Sequence, residues 1–334
     1  MIGRAVRCNI NTSWPAKEAA ITAKEIKSVD ITVGLPRAMM YYRYHILWER
    51  FFAELGIKTI TSPRTDKQIL DRGSSIAVDE MCLSSKIFFG HVEWLIGKCD
   101  YILVPRFSSF GWHQNMCTRF EALYDICRNV FRRSGQQFIT YNVDVINDLT
   151  EDKAFVQMGQ ELGFEARTAL AAYKTAKKAY DADLKLQIKK QDALAKRPGR
   201  KVILAGHSYV IEDAFIGRPV TDNLKKAGIT VLRADITDRD AALKKSAKFS
   251  PTMKWQVNRE ITAGLLDRYK AADGVILLSV FPCGPDSMTN DITVRRLNGL
   301  PTINIVMDGQ SGTAGLETRL ESFVDILERR SAAK

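Results

Sequence analysis

The sequence predicts an α/β fold made of two doubly wound parallel sheets with a helical segment between them. Three observations predict it. Short apolar, strand-forming runs alternate with amphipathic helical stretches up to about residue 150. The stretch from Glu151 to Arg197 is then almost entirely helix-forming. From Lys201 onward the alternation restarts. With 334 residues and a hydrophobic content of 46%, the chain has material for two domains, each with its own core.

The elements follow in order. Residues 1–30 hold basic residues but no apolar h-region, and read as an N-terminal arm rather than a secretory signal. Ile31-Thr32-Val33-Gly34-Leu35 is a strand. Tyr41 to Leu55 is a helix, because Tyr44, Leu47, Trp48, Phe51 and Leu55 fall on one stripe. Gly56 ends it, and Ile57 to Ile60 is the next strand. Ser84 to Ile96 is a helix. Tyr101 to Val104 is a strand cut by Pro105, which has no N–H to give a ladder. Thr118 to Arg132 is a helix and Gln137 to Tyr141 a strand. These elements make a first α/β domain over 31–150 and a basic helical insert over 151–200. In the second α/β domain, 201–334, Val202 to Ala205, Thr230 to Leu232, Gly274 to Val280 and Thr302 to Val306 are strands. Helices are expected over Thr221 to Ala227, Met253 to Tyr269 and Leu316 to Arg329.

Charge is uneven. The formal net charge is +11, and Ala171 to Lys201 holds ten Lys/Arg against three Asp. With apolar residues at Leu184, Leu186, Ile188 and Leu194, this reads as an exposed basic helix ending at Arg197-Pro198-Gly199. A solvated helical face accounts for it. An acidic protein, or a polyphosphate such as coenzyme A, would also dock there. No nucleic-acid-binding motif or aromatic-rich basic patch is present, so nucleic acid is not an expected partner. No apolar run approaches the ~20 residues of a membrane span. Six scattered cysteines are not a disulfide framework, and a reduced cytoplasmic setting is expected.

Three of those cysteines sit in short, turn-rich segments: Asp79-Glu80-Met81-Cys82, Asn115-Met116-Cys117 and Phe281-Pro282-Cys283-Gly284-Pro285. Cys82 and Cys117 each precede a helix, and Cys283 follows a strand. Open α/β sheets bind ligands beyond the carboxyl ends of their strands. Helix N-termini carry free N–H groups and partial positive charge, which favour thiolate over thiol. Three thiolates from three loops look more like a metal or iron–sulfur site than a redox CxxC pair. Single cysteines are also commonly small buried hydrophobes. That plain reading is the expected one for Cys8, Cys99 and Cys127. Zinc is the competing metal, with His113, four residues before Cys117, completing a Cys3His set. His45 and His91 lie in apolar helical runs and read as packing residues. Gly309, Gly312 and Gly315 make either a tight strand–helix turn or a phosphate-binding loop, without the Lys-Ser/Thr of a P-loop.

Several segments together resemble the acyl-CoA dehydratase activase-related family, relatives of the 2-hydroxyacyl-CoA dehydratase subunits. They are Gly34-Leu35-Pro36-Arg37-Ala38 with Tyr41-Tyr42-Arg43-Tyr44, and Val78-Asp79-Glu80-Met81-Cys82-Leu83 followed by Lys86. They continue with Gly90-His91-Val92, Val104-Pro105-Arg106, Gly206-His207-Ser208-Tyr209 and Phe281-Pro282-Cys283-Gly284-Pro285-Asp286-Ser287. The last runs from Asp308-Gly309-Gln310-Ser311-Gly312 to Arg319. The resemblance implies two Rossmann-like domains and an iron–sulfur cluster, 4Fe-4S, held by Cys82, Cys117 and Cys283. Relatives include double-cubane cluster proteins, of whose ligands this chain would supply half; a second copy, as in a homodimer, would supply the rest. The implied partner is an ATP-hydrolysing activase, and the implied ligand an acyl-CoA. Departures from the family pattern are Ser84, Thr118, Ser208, Gly309 and Thr313. They bear on catalysis more than on cluster binding.

The sequence reading is therefore an iron–sulfur protein of anaerobic metabolism acting in low-potential electron transfer or reductive activation. Whether it is an enzyme stays open between an ATP-dependent reductase component, a dehydratase-like subunit whose open iron takes substrate, and a non-redox metal-binding scaffold. Ser108, Ser109, His113, Ser208, Tyr209 and Ser287 are the side chains expected to face the cluster's position without a cysteine.

Overall fold

The computed structural model describes residues 30–309 and 313–332. The arm over 1–29, Cys8, and Gln310 to Gly312 of the glycine loop lie outside them. The first parallel sheet takes β1 (Thr32–Leu35), β2 (Lys58–Thr61), β3 (Tyr101–Leu103) and β5 (Gln137–Ile139) in the order β2-β1-β3-β5. Its connections are α1 (Tyr41–Glu54), α2 (Lys67–Ile76), α3 (Leu83–Leu95) and α4 (Thr118–Val130). The second parallel sheet takes β7 (Lys201–Ala205), β8 (Thr230–Arg233), β9 (Gly274–Val280) and β10 (Thr302–Met307) in the order β10-β9-β7-β8. Around it run α7 (Ser208–Ile211), α8 (Arg218–Lys226), α9 (Arg239–Phe249), α10 (Gln256–Arg268), α11 (Gly284–Arg296) and α12 (Thr313–Ala332). Both sheets wind identically, so each reverses direction between its first and third strands, β1/β3 and β7/β9. That reversal is where open α/β sheets bind ligands. The mixed α/β architecture with parallel Rossmann-like sheets is as the sequence predicts.

Pro105 interrupts the first sheet rather than ending it. The ladder runs through Val104 N–H to the Ile139 carbonyl at 2.9 Å and resumes from Arg106 N–H to the Tyr141 carbonyl at 2.8 Å. Beyond that gap β4 (Arg106–Ser109) pairs with β6 (Asn142–Asp144) in parallel. The strand expected to be cut at Pro105 therefore carries on and delivers the loop of Cys117.

The helical segment is α5 (Glu151–Glu161) and α6 (Ala166–Ala195). The latter is 30 residues long, or about 45 Å at 1.5 Å per residue. Ala169, Ala172, Tyr173, Ala176 and Tyr180 form its buried stripe, and it packs against α1. Near its far end Gln191 accepts a hydrogen bond from the Arg233 N–H of β8 at 2.8 Å. The basic helix is thus exposed on one face only.

Boundaries differ from expectation in places with physical causes. The helix expected to begin at Met253 begins at Gln256, because Trp255 is its extended N-cap. The one expected from Thr221 starts earlier, at Arg218, with a proline in its first turn. Four helices, α2, α7, α9 and α11, are unanticipated. In α2 the run Gly73-Ser74-Ser75 masks helix propensity. Its glycine serves packing: a Cβ on Gly73 would stand 1.7 Å from the Lys86 carbonyl of α3, and one on Gly90 1.9 Å from the Ile69 carbonyl of α2. The two helices cross at backbone contact.

His91 is fully buried on α3. Its Nδ1 lies 2.9 Å from the Ser62 hydroxyl and its Nε2 3.1 Å from the Thr65 hydroxyl, which in turn donates to Asp213. Burial disfavours a charged ring there and lowers the His91 pKa to about 3. The unfolded chain would bind a proton near pH 6.5 that the folded chain refuses, so stability falls with pH across that window. Between pH 7 and pH 5 this site should cost about 2 kcal/mol. Urea unfolding at the two pH values should show it, and His91→Gln should flatten the dependence; an equal slope in the variant would refute the assignment.

Candidate metal centre

Each of the three loop cysteines is the N-cap of a helix: Cys82 of α3, Cys117 of α4 and Cys283 of α11, all with extended backbone. The sequence shows this for two of them; for Cys283 the Pro285 in the first turn of α11 is the signal. Backbone hydrogen bonds draw the loops together from the two sheets. Leu83 N–H, next to Cys82, donates to the Phe281 carbonyl at 3.0 Å. Asn115 N–H donates to the Lys254 carbonyl at 3.2 Å, and Gln256 N–H returns to the Asn115 carbonyl at 2.9 Å. Arg259 of α10 adds a bond from its guanidinium to the His113 carbonyl at 3.0 Å.

The result is one cavity onto which Cys82, Cys117 and Cys283 all open, with His207, Tyr209 and Asn258 among its other walls. The thiols are free. Cys82 Sγ is 3.1 Å from the Ser85 hydroxyl. Burial pushes the Cys283 thiol well up, helped by the Asp286 carboxylate and Cys82 beside it. Burial pushes the Cys117 thiol up too, partly offset by the Arg119 amide. None of the three makes a full capping hydrogen bond. Ligation would therefore have to displace protons from Cys117 and Cys283.

The polar side of the cavity is one sequence reasoning missed. His207 Nε2 lies 2.8 Å from Asp286 Oδ1, and Asn258 Nδ2 donates to the same oxygen at 2.7 Å. The rings of His207 and Tyr209 stack at 4.7 Å with 8° between planes. Burial opposes ionisation of Asp286, but the charge and hydrogen bond of His207, with the Asn258 amide, hold its carboxyl below the ordinary range. Donor atoms of His207, Cys283 and Asp286 lie within 4.8 Å of one another. Two buried atoms here have no hydrogen-bond partner: His207 Nδ1 and Asp286 Oδ2. The available signal was positional: His207 and Cys283 follow β7 and β9, the two strands that flank the reversal of the second sheet.

Other expectations sort differently. His113 is exposed and absent from the cavity wall, so it does not complete a Cys3His set. Of the side chains expected around the position without a cysteine, Tyr209 alone lines the cavity. Ser108 reaches Asn142, Ser109 bonds Asp144, and Ser287 donates to the Cys283 carbonyl. Ser208 faces a neighbouring cleft. Cys127 is buried on α4, and Cys99 packs against Gly34 and Leu95; both are packing residues, whereas His91, expected to be one, is buried but hydrogen-bonded through both ring nitrogens.

Removing the Asp286 carboxylate would leave two buried partners unsatisfied. Asp286→Ala should lower the unfolding free energy of the metal-free protein by about 3 kcal/mol. Asp286→Asn, which keeps an acceptor oxygen, should cost less. Equal losses in urea titrations of the two variants would mean the hydrogen bonds contribute nothing.

A family model described as "CoA enzyme activase uncharacterised domain (DUF2229)" matches residues 32–237. A comparison with curated proteins returns no match. Among solved structures, ZnuA is similar at 8% identity over 89% of this chain and 98% of that one, with a TM-score of 0.27. A sugar transporter from Clostridium phytofermentans is similar at 13% identity over 83% and 80%, with a TM-score of 0.20. At such scores neither carries an argument about this chain.

Proposed function

The chain belongs to the CoA enzyme activase uncharacterised domain family, and from that premise we propose that it is a cluster-carrying protein of low-potential electron transfer or reductive activation. Cys82, Cys117 and Cys283 would hold an iron–sulfur cluster, 4Fe-4S. The observation that carries this reading is the convergence of three cysteines, each capping a helix, on one cavity. The donor set fits such a group. Sulfur is the ligand of iron–sulfur clusters, three positive helix ends favour a bound anion, and two orphaned polar atoms suit a site that takes a ligand. When bound, the cluster supplies a one-electron redox couple. The protein's own part is to hold the thiolates, exclude water behind Met39, Phe120 and Tyr209, and present helix amides that tune the couple.

The partner fitting this reading is an ATP-hydrolysing activase in the reducing cytoplasm. No helix among the described residues is long and apolar enough to cross a membrane. A dehydratase-like subunit binding an acyl-CoA is the second reading; the mention of a CoA enzyme in the family description supports only its CoA part.

Two measurements test the proposal. After anaerobic reconstitution with iron and sulfide, Cys82→Ala, Cys117→Ala or Cys283→Ala should each lose most bound iron and visible absorbance, while Cys127→Ala keeps both. Full iron in any of the three loop variants would overturn the ligand set. For the partner, Lys174, Lys178, Lys189 and Lys190 stand exposed on α6, whereas Lys177 pairs with Asp181 at 2.6 Å. Replacing those four with Gln should weaken activase binding and flatten its salt dependence without changing iron content. An unchanged affinity across a salt series would exclude the basic face as the docking surface.

A further inference from the structure

We propose that His207, through Nδ1, is a fourth protein ligand of the site, closing the position that three cysteines leave. The inference rests on the cluster reading above and deepens it. Four observations converge. His207 lines the same cavity as the three thiols. Its Nε2 faces Asp286 Oδ1 at 2.8 Å; in the neutral ring, the form that binds metal, that carboxylate holds the proton on Nε2 and leaves the Nδ1 lone pair open. Nδ1 is buried without a hydrogen-bond partner, although burying such an atom is costly unless something meets it. One ring nitrogen of His207 lies within 4.8 Å of the Cys283 sulfur and an Asp286 oxygen.

A histidine that gives one ring N–H to a carboxylate and keeps the other nitrogen free has the arrangement of a metal-ligating histidine, in which the carboxylate fixes tautomer and ring orientation. Here the anchoring is double. Asn258 donates to the same Asp286 oxygen at 2.7 Å, and Tyr209 stacks on the imidazole at 8°. The ring cannot turn without breaking both. Asp286 and Asn258 are positioning residues. Their geometry makes sense for a nitrogen that must point one way, and much less for a side chain that merely fills space.

The consequence concerns what the site does. A cluster with three cysteines and an open iron can bind a substrate oxygen as a Lewis acid. A Cys3His shell has no vacant position and suits electron transfer. His207 therefore separates the two leading functions.

The test uses the full chain carrying histidine labelled with nitrogen-15 at Nδ1 alone or at Nε2 alone. The protein is reconstituted with iron and sulfide, reduced and examined by pulsed EPR. The expected result is strong nitrogen coupling from the Nδ1 label and weak coupling from the Nε2 label. His207→Cys should keep full iron and lose that coupling. Cyanide should leave the wild-type spectrum unchanged and perturb that of His207→Ala. Full iron in the wild type with no nitrogen coupling, or equal cyanide sensitivity in wild type and His207→Ala, overturns the histidine ligand and leaves the cluster intact. Failure of the wild type to take up iron overturns the cluster reading and this ligand with it.

Discussion

The hydrogen bond from Leu83 N–H to the Phe281 carbonyl is the contact on which the site depends. It joins the loop entering α3, in the first sheet's half of the chain, to the loop leaving β9 in the second. One residue before the donor is Cys82; two after the acceptor is Cys283. Because the bond is between backbones, it fixes chain positions rather than side-chain rotamers. The Asn115 pairings with Lys254 and Gln256 do the same for the loop of Cys117. Three helix N-termini are thereby aimed at one space, and their summed partial charge favours an anion there. Without a ligand, the same burial pushes the thiols of Cys117 and Cys283 toward their protonated forms.

Backbone stitching works only if the two halves do not slide, and two buried polar clamps prevent that. Arg43 of α1 makes a two-pronged pair with Glu260 of α10, at 2.7 and 3.1 Å, with both side chains almost fully buried. Gln256 adds a bond to Glu260 at 2.7 Å. Burial opposes ionisation of Glu260, yet Arg43 and Arg239 hold its carboxyl below the usual range. Such a pair adds little net stability over a well-packed apolar alternative. What it does is tie α1 to α10, one from each half of the chain. The second clamp runs from His91 through Thr65 to Asp213, which also takes a hydrogen bond from Tyr42 at 3.4 Å. The α6 helix spans the same divide, packed on α1 at one end and bonded to β8 at the other.

Much of this was legible in the sequence because it depends on local pattern. Strand and helix alternation set both sheets, and turn residues around Cys82, Cys117 and Cys283 marked the three loops. What escaped was non-local. His113 looked like a ligand because it stands four residues from Cys117, but that loop turns it outward while its carbonyl is held by Arg259. His207 lies 76 residues before Cys283 in the chain, and only the parallel pairing of β7 with β9 sets the two side by side. Asp286 reads in sequence as an ordinary first-turn acid of α11. Its role appears once Asn258, from a different helix, meets the same oxygen. The crossing of α2 and α3 was hidden for a related reason: a glycine lowers helix propensity locally while permitting a contact only the fold reveals.

The cavity has a neighbour of different electrostatic character. A second cleft lies between α1, α6 and α10, lined by Arg43, Tyr180, Leu184, Ser208 and Arg239 among others. Val257 lines both spaces, and Ser208 directly follows His207. His207 and Val257 therefore stand between the thiols and the cleft beneath the basic helix. That cleft is rich in charge but balanced in sign, with Arg43, Arg233 and Arg239 met by Asp183, Glu212, Asp235 and Glu260. A polyanion such as the phosphates of coenzyme A would find no net positive field inside it, whereas the outer face of α6 has one.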